Sequence, residues 1–327
     1  MLNLESLRVF VMAAETENLT RVARQLNMSQ PSVSQHVQSL ERHLGIELFV
    51  RHGRRIKLSP VGQTLLPLSK DLLRSSKQLE EAALALTGEV SGHLTIGCST
   101  SSGKYVLPHL LARYREEFPL VRGTVKVGHR SRVIEWLLAG EVDLAVTSER
   151  VNRGGLHHRL FFEDEIVLVV PGNHEWADRE SINPNELYHE RFILREPDSG
   201  THSALVEGLD QAGIDIERME CVLVLDNSEA IIMTVEEGFG LGFVSKVTAE
   251  RGVAWGSIKA LALKGISMKR WLHMVDNDRT PHSPALNAFT MFVDGLEGAA
   301  SSVRTGRLTV LPDPPPSHTV VAPACTD

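Results

Sequence analysis

Two sets of residues have side chains whose type and spacing suit recognition chemistry. The first is Ser29, Gln30, Pro31, Ser32, Ser34, Gln35 and Gln38. A glutamine offers an acceptor and a donor side by side, and a serine offers one rotatable hydroxyl. These are groups that read base edges in the major groove. The second set is spread along the chain: Ser99, Thr100, Ser101 and Ser102 in one run, then Thr147, Thr201 and Asn227. Hydroxyls and amides beside helix N-termini, with the free backbone N–H groups there, hold small anions. Covalent chemistry has no comparable signature. Ser199 lacks a Gly-x-Ser-x-Gly surround, and His157 and His158 lack metal-site spacing. Gly238, Gly240 and Gly242 follow a helix and enter a strand, the reverse of a dinucleotide loop. No catalytic residue, cofactor or metal ligand is assigned, and the chain is not expected to be an enzyme.

The elements that must position the first set are two short helices and a tight turn within residues 18–44. Leu19, Val22, Ala23 and Leu26 repeat at helical spacing behind Asn18 as a cap. Asn27 can end that helix in a left-handed conformation. Ser29 then caps the next helix, with Pro31 in its first turn. Val33, Val37, Leu40 and Leu44 mark the buried face of this second helix, which leaves the glutamines and serines pointing outward. In a helix–turn–helix the first helix crosses the phosphate backbone, which places Arg21 near it. A helix over residues 4–15, with Leu4, Leu7, Val11 and Ala14 inward, supports the pair. Residues 48–50 and 56–58 read as a basic hairpin. Arg54 or Arg55 at its tip can enter the minor groove, and Arg51 can contact phosphate.

These residues together resemble the winged helix–turn–helix of LysR-type transcriptional regulators. The resemblance rests on Leu7 to Phe10, Ala23 to Leu26, Ser29 to Ser34, Leu40 with Glu41, Leu44 to Phe49, and Ser59 to Gly62. It extends over about the first 297 residues. It implies a multidomain α/β protein with an N-terminal winged helix–turn–helix, a long linker helix and a two-lobed α/β effector domain like periplasmic binding proteins. The expected division is residues 1–58, 59–90 and 91–297, with lobe one at 91–168 and 266–297 and lobe two at 169–265. Thr147, Thr201, Asn227 and the hydroxyls of residues 99–102 match the family's effector positions. Arg130 and His202 are further candidates for charge there.

The linker begins at Ser59 and Pro60 and runs to about Thr87, closed by Gly88. Leu65, Leu68, Leu72, Ser75, Leu79, Ala82 and Leu86 alternate at spacings of three and four, the seam of a two-helix coiled coil. Such a dimer presents two recognition helices, so a dyad-symmetric DNA site is expected. From residue 93 strands and helices alternate, which predicts parallel sheet with ligands at strand carboxyl ends. Residues 298–327 are rich in Ser, Pro, Thr and Val and are expected to be a disordered tail.

Composition sets bounds on partners. The net charge of −7 argues against nonspecific coating of DNA, yet Arg21, Arg24, Arg42, Arg51, Arg54, Arg55 and Lys57 cluster near the recognition helix. Cys98, Cys221 and Cys325 show no disulfide or metal framework, so a reducing compartment is expected. With no signal peptide or membrane-length apolar run, the expected location is cytoplasmic, with no membrane partner. The expected partners are promoter DNA with interrupted dyad symmetry, a second copy of the chain (a tetramer by resemblance), RNA polymerase and a small anionic metabolite of open identity. Two alternatives stand beside this reading: a thiol-responsive regulator, and a DNA-binding protein with no effector.

Overall fold

The computed structural model describes residues 2–52, 55–148, 150–151 and 153–297. The expected tail, 298–327, and Arg54 at the wing tip lie outside them. The chain opens with α1 (Leu4–Thr16), α2 (Leu19–Gln25) and α3 (Gln30–Leu44), then the hairpin β1 (Phe49–His52) and β2 (Arg55–Leu58), and the long helix α4 (Pro60–Ala85). The caps sit where side-chain chemistry demands them. Asn18 accepts from the N–H groups of Thr20 and Arg21, and Ser29 accepts from Ser32. Asn27 adopts φ 53°. That left-handed residue lets α2 turn into α3.

Two expectations about buried faces need correction. In α1 the buried residues are Ser6, Leu7, Val9, Phe10 and Ala13, whereas Leu4 is 43% exposed and Val11 and Ala14 are half-buried. The three-helix core approaches α1 from two sides: Val9 and Ala13 meet α2 and α3, while Leu7 and Phe10 meet Leu40 and Leu48. Leu44 is 37% exposed, because α3 ends there on the left-handed Gly45. Arg55 is also not at the hairpin tip; it opens β2, paired with His52.

The first α/β part contains β3 (Gly92–Cys98), a π-helical turn at Ser102–Val106, α5 (Leu107–Glu117), β4 (Val121–Val127), α6 (Arg130–Leu138) and β5 (Leu144–Thr147). Then comes β6 (Leu156–Pro171), 16 residues long. Sequence alone suggests only its second half, since its first nine residues alternate weakly in burial. The second part contains β7 (Ser181–Ile182), β8 (Arg191–Arg195), α7 (Gly200–Gln211), β9 (Glu220–Leu225), α8 (Ser228–Glu236), β10 (Leu241–Ser245), α9 (Lys246–Trp255) and β11 (Ile258–Leu263). Neither α9 nor β11 is evident from periodicity. β12 (Lys269–Asn277) and α10 (Pro284–Glu297) close the described chain.

Among the described residues two compact units result: 2–161 with 272–289, and 162–271 with 290–297. In the first, the sheet order is β4-β3-β5-β12, with β3 parallel to both neighbours and β12 antiparallel to β5. In the second it is β6-β10-β8-β9, with β11 on β6. Parallel β8, β9 and β10 there are fed by α7 and α8, as the alternation of periods predicts. The chain passes between units along β6 and again along β12.

Candidate nucleic-acid interface and effector residues

The recognition helix is held from its buried side. Val33, Val37 and Leu40 are sealed, and His36 Nδ1 lies 3.0 Å from the Ser6 hydroxyl on α1. Glu41 braces the wing: its Oε1 accepts from Leu48 N at 2.8 Å and from Phe49 N at 3.3 Å. Ser59 donates to Glu47 O at 2.7 Å and accepts from Gly62 N at 2.9 Å. A Cβ at Gly62 would collide with the Leu48 carbonyl, so the wing's approach to α4 requires glycine there. Neither the Glu41 brace nor the His36 bond follows from spacing, since both depend on a neighbour outside the helix.

With its back so fixed, α3 leaves Gln30, Gln35 and Gln38 exposed and Ser32 and Ser34 half-exposed. Gln30 Nε2 donates to Ser34 Oγ at 3.0 Å, which orders the start of that face. Ser29 and Pro31 are exposed at its N-terminus, and Arg21 and Lys57 are exposed nearby in sequence. Arg51 and Arg55 lie on the two wing strands. On α4 the expected seam is outward: Leu68, Leu72 and Leu79 are 61%, 44% and 73% exposed, and Leu86, just past the helix end, is 90% exposed. Leu65, nearer the winged domain, packs instead against the cluster of Leu7, Phe10, Leu40 and Leu48.

In the first unit, Ser99 follows β3 and the helix begins at Thr100. The helix passes through a π turn before α5, a feature often found at functional sites. Ser101 and Ser102 are buried, and Ser99 and Thr100 are half-buried. The Ser99 and Ser102 hydroxyls lie 3.4 Å apart. Gly103 lets this turn press on the sheet: a Cβ there would come within 2.7 Å of Val127 Cγ2 and 2.8 Å of Cys98 Sγ. Burial pushes the Cys98 thiol up to about 12. Thr147, at the carboxyl end of β5, is 3% exposed. Arg130 begins α6 and is half-buried.

In the second unit, Ser199 caps α7 by accepting from His202 N, and Asn227 caps α8 by accepting from Glu229 N. The Thr201 hydroxyl is 3.1 Å from Arg270 Nη1. Arg195, buried at the end of β8, donates to Ser228 Oγ at 2.9 Å and to both carboxylate oxygens of Glu196 at 2.8 Å. Sequence spacing does not single out Arg270, because its partners Asp164 and Thr201 lie 106 and 69 residues away. Among the described residues, no group of three or more His, Cys, Asp or Glu can hold a metal ion, and no helix is long and apolar enough to cross a membrane.

A capped, outward-facing polar helix, a basic wing and two α/β units define a winged helix–turn–helix transcription factor with an attached binding domain. The chain belongs to the LysR family of transcriptional regulators, which are not enzymes. The family model for the bacterial regulatory helix-turn-helix protein of the lysR family matches residues 4–63, and that for the LysR substrate binding domain matches residues 87–296. The chain is 33% identical over 298 residues to a probable RuBisCO transcriptional regulator of Cyanophora paradoxa, covering 88% of this chain and 90% of the relative. It is 32% identical over 292 residues to one of Trichormus variabilis, covering 88% and 86%. Its fold is similar to that of a full-length OxyR variant from Pseudomonas aeruginosa, with TM-score 0.69, 20% identity and coverage of 90% and 95%. It is also similar to full-length CbnR complexed with its target DNA, with TM-score 0.66, 20% identity and coverage of 90% and 99%.

Proposed function

We propose that this regulator binds promoter DNA at an interrupted dyad as a homo-oligomer, and that a small anionic metabolite controls it. The observation that carries the DNA reading is the outward face of α3, where Gln30, Gln35 and Gln38 are exposed while Val33, Val37 and Leu40 are sealed. Ser29, Pro31, Ser32 and Ser34 complete the base-reading end, and Arg21, Arg51, Arg54 and Arg55 supply phosphate and minor-groove contacts. The exposed leucines of α4 support pairing of two linker helices, and pairs of dimers make the tetramer. Effector binding at Ser99, Thr100, Ser101, Ser102 and Thr147 in the first unit, and at Thr201 and Asn227 in the second, biases subunit arrangement. DNA bend and contact with RNA polymerase change with it.

Selection of bound duplexes from a random library tests the DNA half. Enrichment of two half-sites related by a dyad is the expected result, and recovery of unenriched sequence overturns it. A thermal-shift screen of the full chain against small anions and metabolites tests the effector half. A saturable rise in melting temperature, lost in Thr100→Val, is expected, because a ligand bound only by the folded state stabilises it. A thiol switch is the weaker reading: Cys98 is buried with its thiol held protonated, which leaves Cys221 as the one exposed thiol among the described residues, with no second cysteine in its unit to pair with there.

A further inference from the structure

The wing begins where two helices take hold of one residue. Leu48 gives its N–H to the Glu41 carboxylate of α3 at 2.8 Å, and its carbonyl accepts from the N–H of Ser59, the cap of α4, at 2.9 Å. The same Glu41 oxygen accepts from Phe49 N at 3.3 Å, and the Ser59 hydroxyl donates to Glu47 O at 2.7 Å. The backbone of residues 47–49 is thus held on its N–H side by the recognition helix and on its carbonyl side by the linker helix.

Apolar packing alone sets no direction there. Leu48 is sealed, and the Phe49 ring stands edge to face with Phe10 at 5.6 Å. Such contacts keep the root of the hairpin in the core, but burial is non-directional. A hairpin of two four-residue strands is marginal alone, so its aim comes from its root. Hydrogen bonds weaken steeply off line, and a carboxylate acceptor strengthens them. The two bonds to Glu41 therefore fix the angle at which β1 leaves α3. The Glu41 carbonyl meanwhile takes the N–H groups of Gly45 and Ile46, so the helix ends on the same residue.

Helix rise and strand pairing turn that angle into a distance. Six residues of regular helix, about 9 Å of rise, separate Glu41 from the exposed Gln35. β1 pairs with β2 from Phe49 opposite Leu58 to His52 opposite Arg55, so the strands that carry Arg51, Arg55 and Lys57 move with Phe49 as one ribbon. Losing the Glu41 bonds displaces this ribbon and leaves the recognition helix in place, since Val33, Val37 and Leu40 seal the helix separately.

We propose that Glu41 is a positioning residue for sequence reading by the wing. It holds the wing at a fixed spacing from α3, so that a half-site core and the A·T-rich minor groove beside it are read together. The proposal rests on the DNA-binding reading above and adds the residue that couples the two grooves.

Duplex selection on the full chain tests it, with Glu41→Ala and Glu41→Gln beside the unaltered protein. Both variants remove the same negative charge, but only glutamine keeps an oxygen that can accept the two N–H bonds. The unaltered chain should enrich a half-site core and prefer A·T over G·C in the flanking minor groove by about fivefold or more. In Glu41→Ala the core should stay and the flank preference should fall to within about twofold, while Glu41→Gln keeps most of it. Core and flank falling together, or neither falling, overturns the proposal. Equal loss of the flank preference in both variants ties it to the charge and overturns it too. Should Glu41→Ala not fold, the unaltered chain decides alone. Inserting two G·C pairs between core and flank moves the flank by about 7 Å and should abolish the A·T preference. A preference that survives the insertion means that the wing is not held, and overturns the proposal. An enriched core with no flank preference in the unaltered chain overturns it as well and leaves the DNA reading standing, whereas no enriched core overturns both.

Discussion

Arg270 and Asp164, 106 residues apart, meet as a buried ion pair. Arg270 Nη2 lies 2.7 Å and Nε 2.9 Å from Asp164 Oδ2, with side-chain exposures of 9% and 2%. Ser245 donates to the other carboxylate oxygen at 2.7 Å, and Arg270 Nη1 reaches Thr201. The pair joins the two strands, β6 and β12, by which the chain enters and leaves the second unit. Removing one partner leaves an uncompensated charge. Arg270→Met should cost about 3–5 kcal/mol, read as a lower urea midpoint. Adding Asp164→Leu should recover much of that loss, and no recovery would mean that the pair itself stabilises the unit.

Gln35→Ala should weaken binding to the selected DNA site by about 1–3 kcal/mol if the side chain reads a base. Fluorescence anisotropy on the specific duplex and on a scrambled one separates the roles. Equal losses on both would assign Gln35 to phosphate.

Leu79 is 73% exposed on the α4 seam. Leu79→Lys should leave chain stability within about 0.5 kcal/mol yet lower the oligomeric state in sedimentation velocity. An unchanged sedimentation coefficient across the micromolar range would remove the seam from the interface.

Cys98 and Cys221 should differ sharply in alkylation rate. With the Cys98 thiol held up to about 12 by burial, roughly one molecule in ten thousand carries the thiolate at pH 8. Cys221 is exposed. Peptide mapping after brief iodoacetamide treatment should find Cys221 labelled and Cys98 intact until urea is added. Labelling of Cys98 in the native protein would mean that the π turn opens readily.

The lowered pKa of His273 gives a signed pH dependence. As pH falls below about 6.5, the unfolded chain takes up a proton that native His273, facing His158 and Arg150, resists. Stability from this group is therefore complete above that pH and declines as pH falls toward the native value. Urea midpoints at pH 5.5 and 7.5 should differ less in His273→Phe than in the unaltered chain. An identical difference in both would assign the dependence to other groups.

The parts legible in sequence are those set by local rules. Asn18, Asn27, Ser29 and Pro31 act within four residues of themselves, and the structure shows each cap where the chain implies it. Leu4 and Leu44 defeat the periodicity argument because a helix face is buried only where a neighbour arrives, and none covers the helix end at either residue. The first half of β6 and the strand β11 escape for a related reason. Their burial comes from partners on other strands, not from any alternation in their own residues.

By itself the sequence determined the recognition helix, its caps, the wing, the linker seam and the alternation that makes parallel sheet. Each is encoded by residues close enough along the chain to interact through backbone geometry and helical or strand period. Tertiary structure alone decided that Arg270 closes on Asp164, that Glu41 holds the wing, and that His273 stands opposite Thr147. Those relationships depend on strand order and register, which bring distant residues together and carry no spacing signal in the chain.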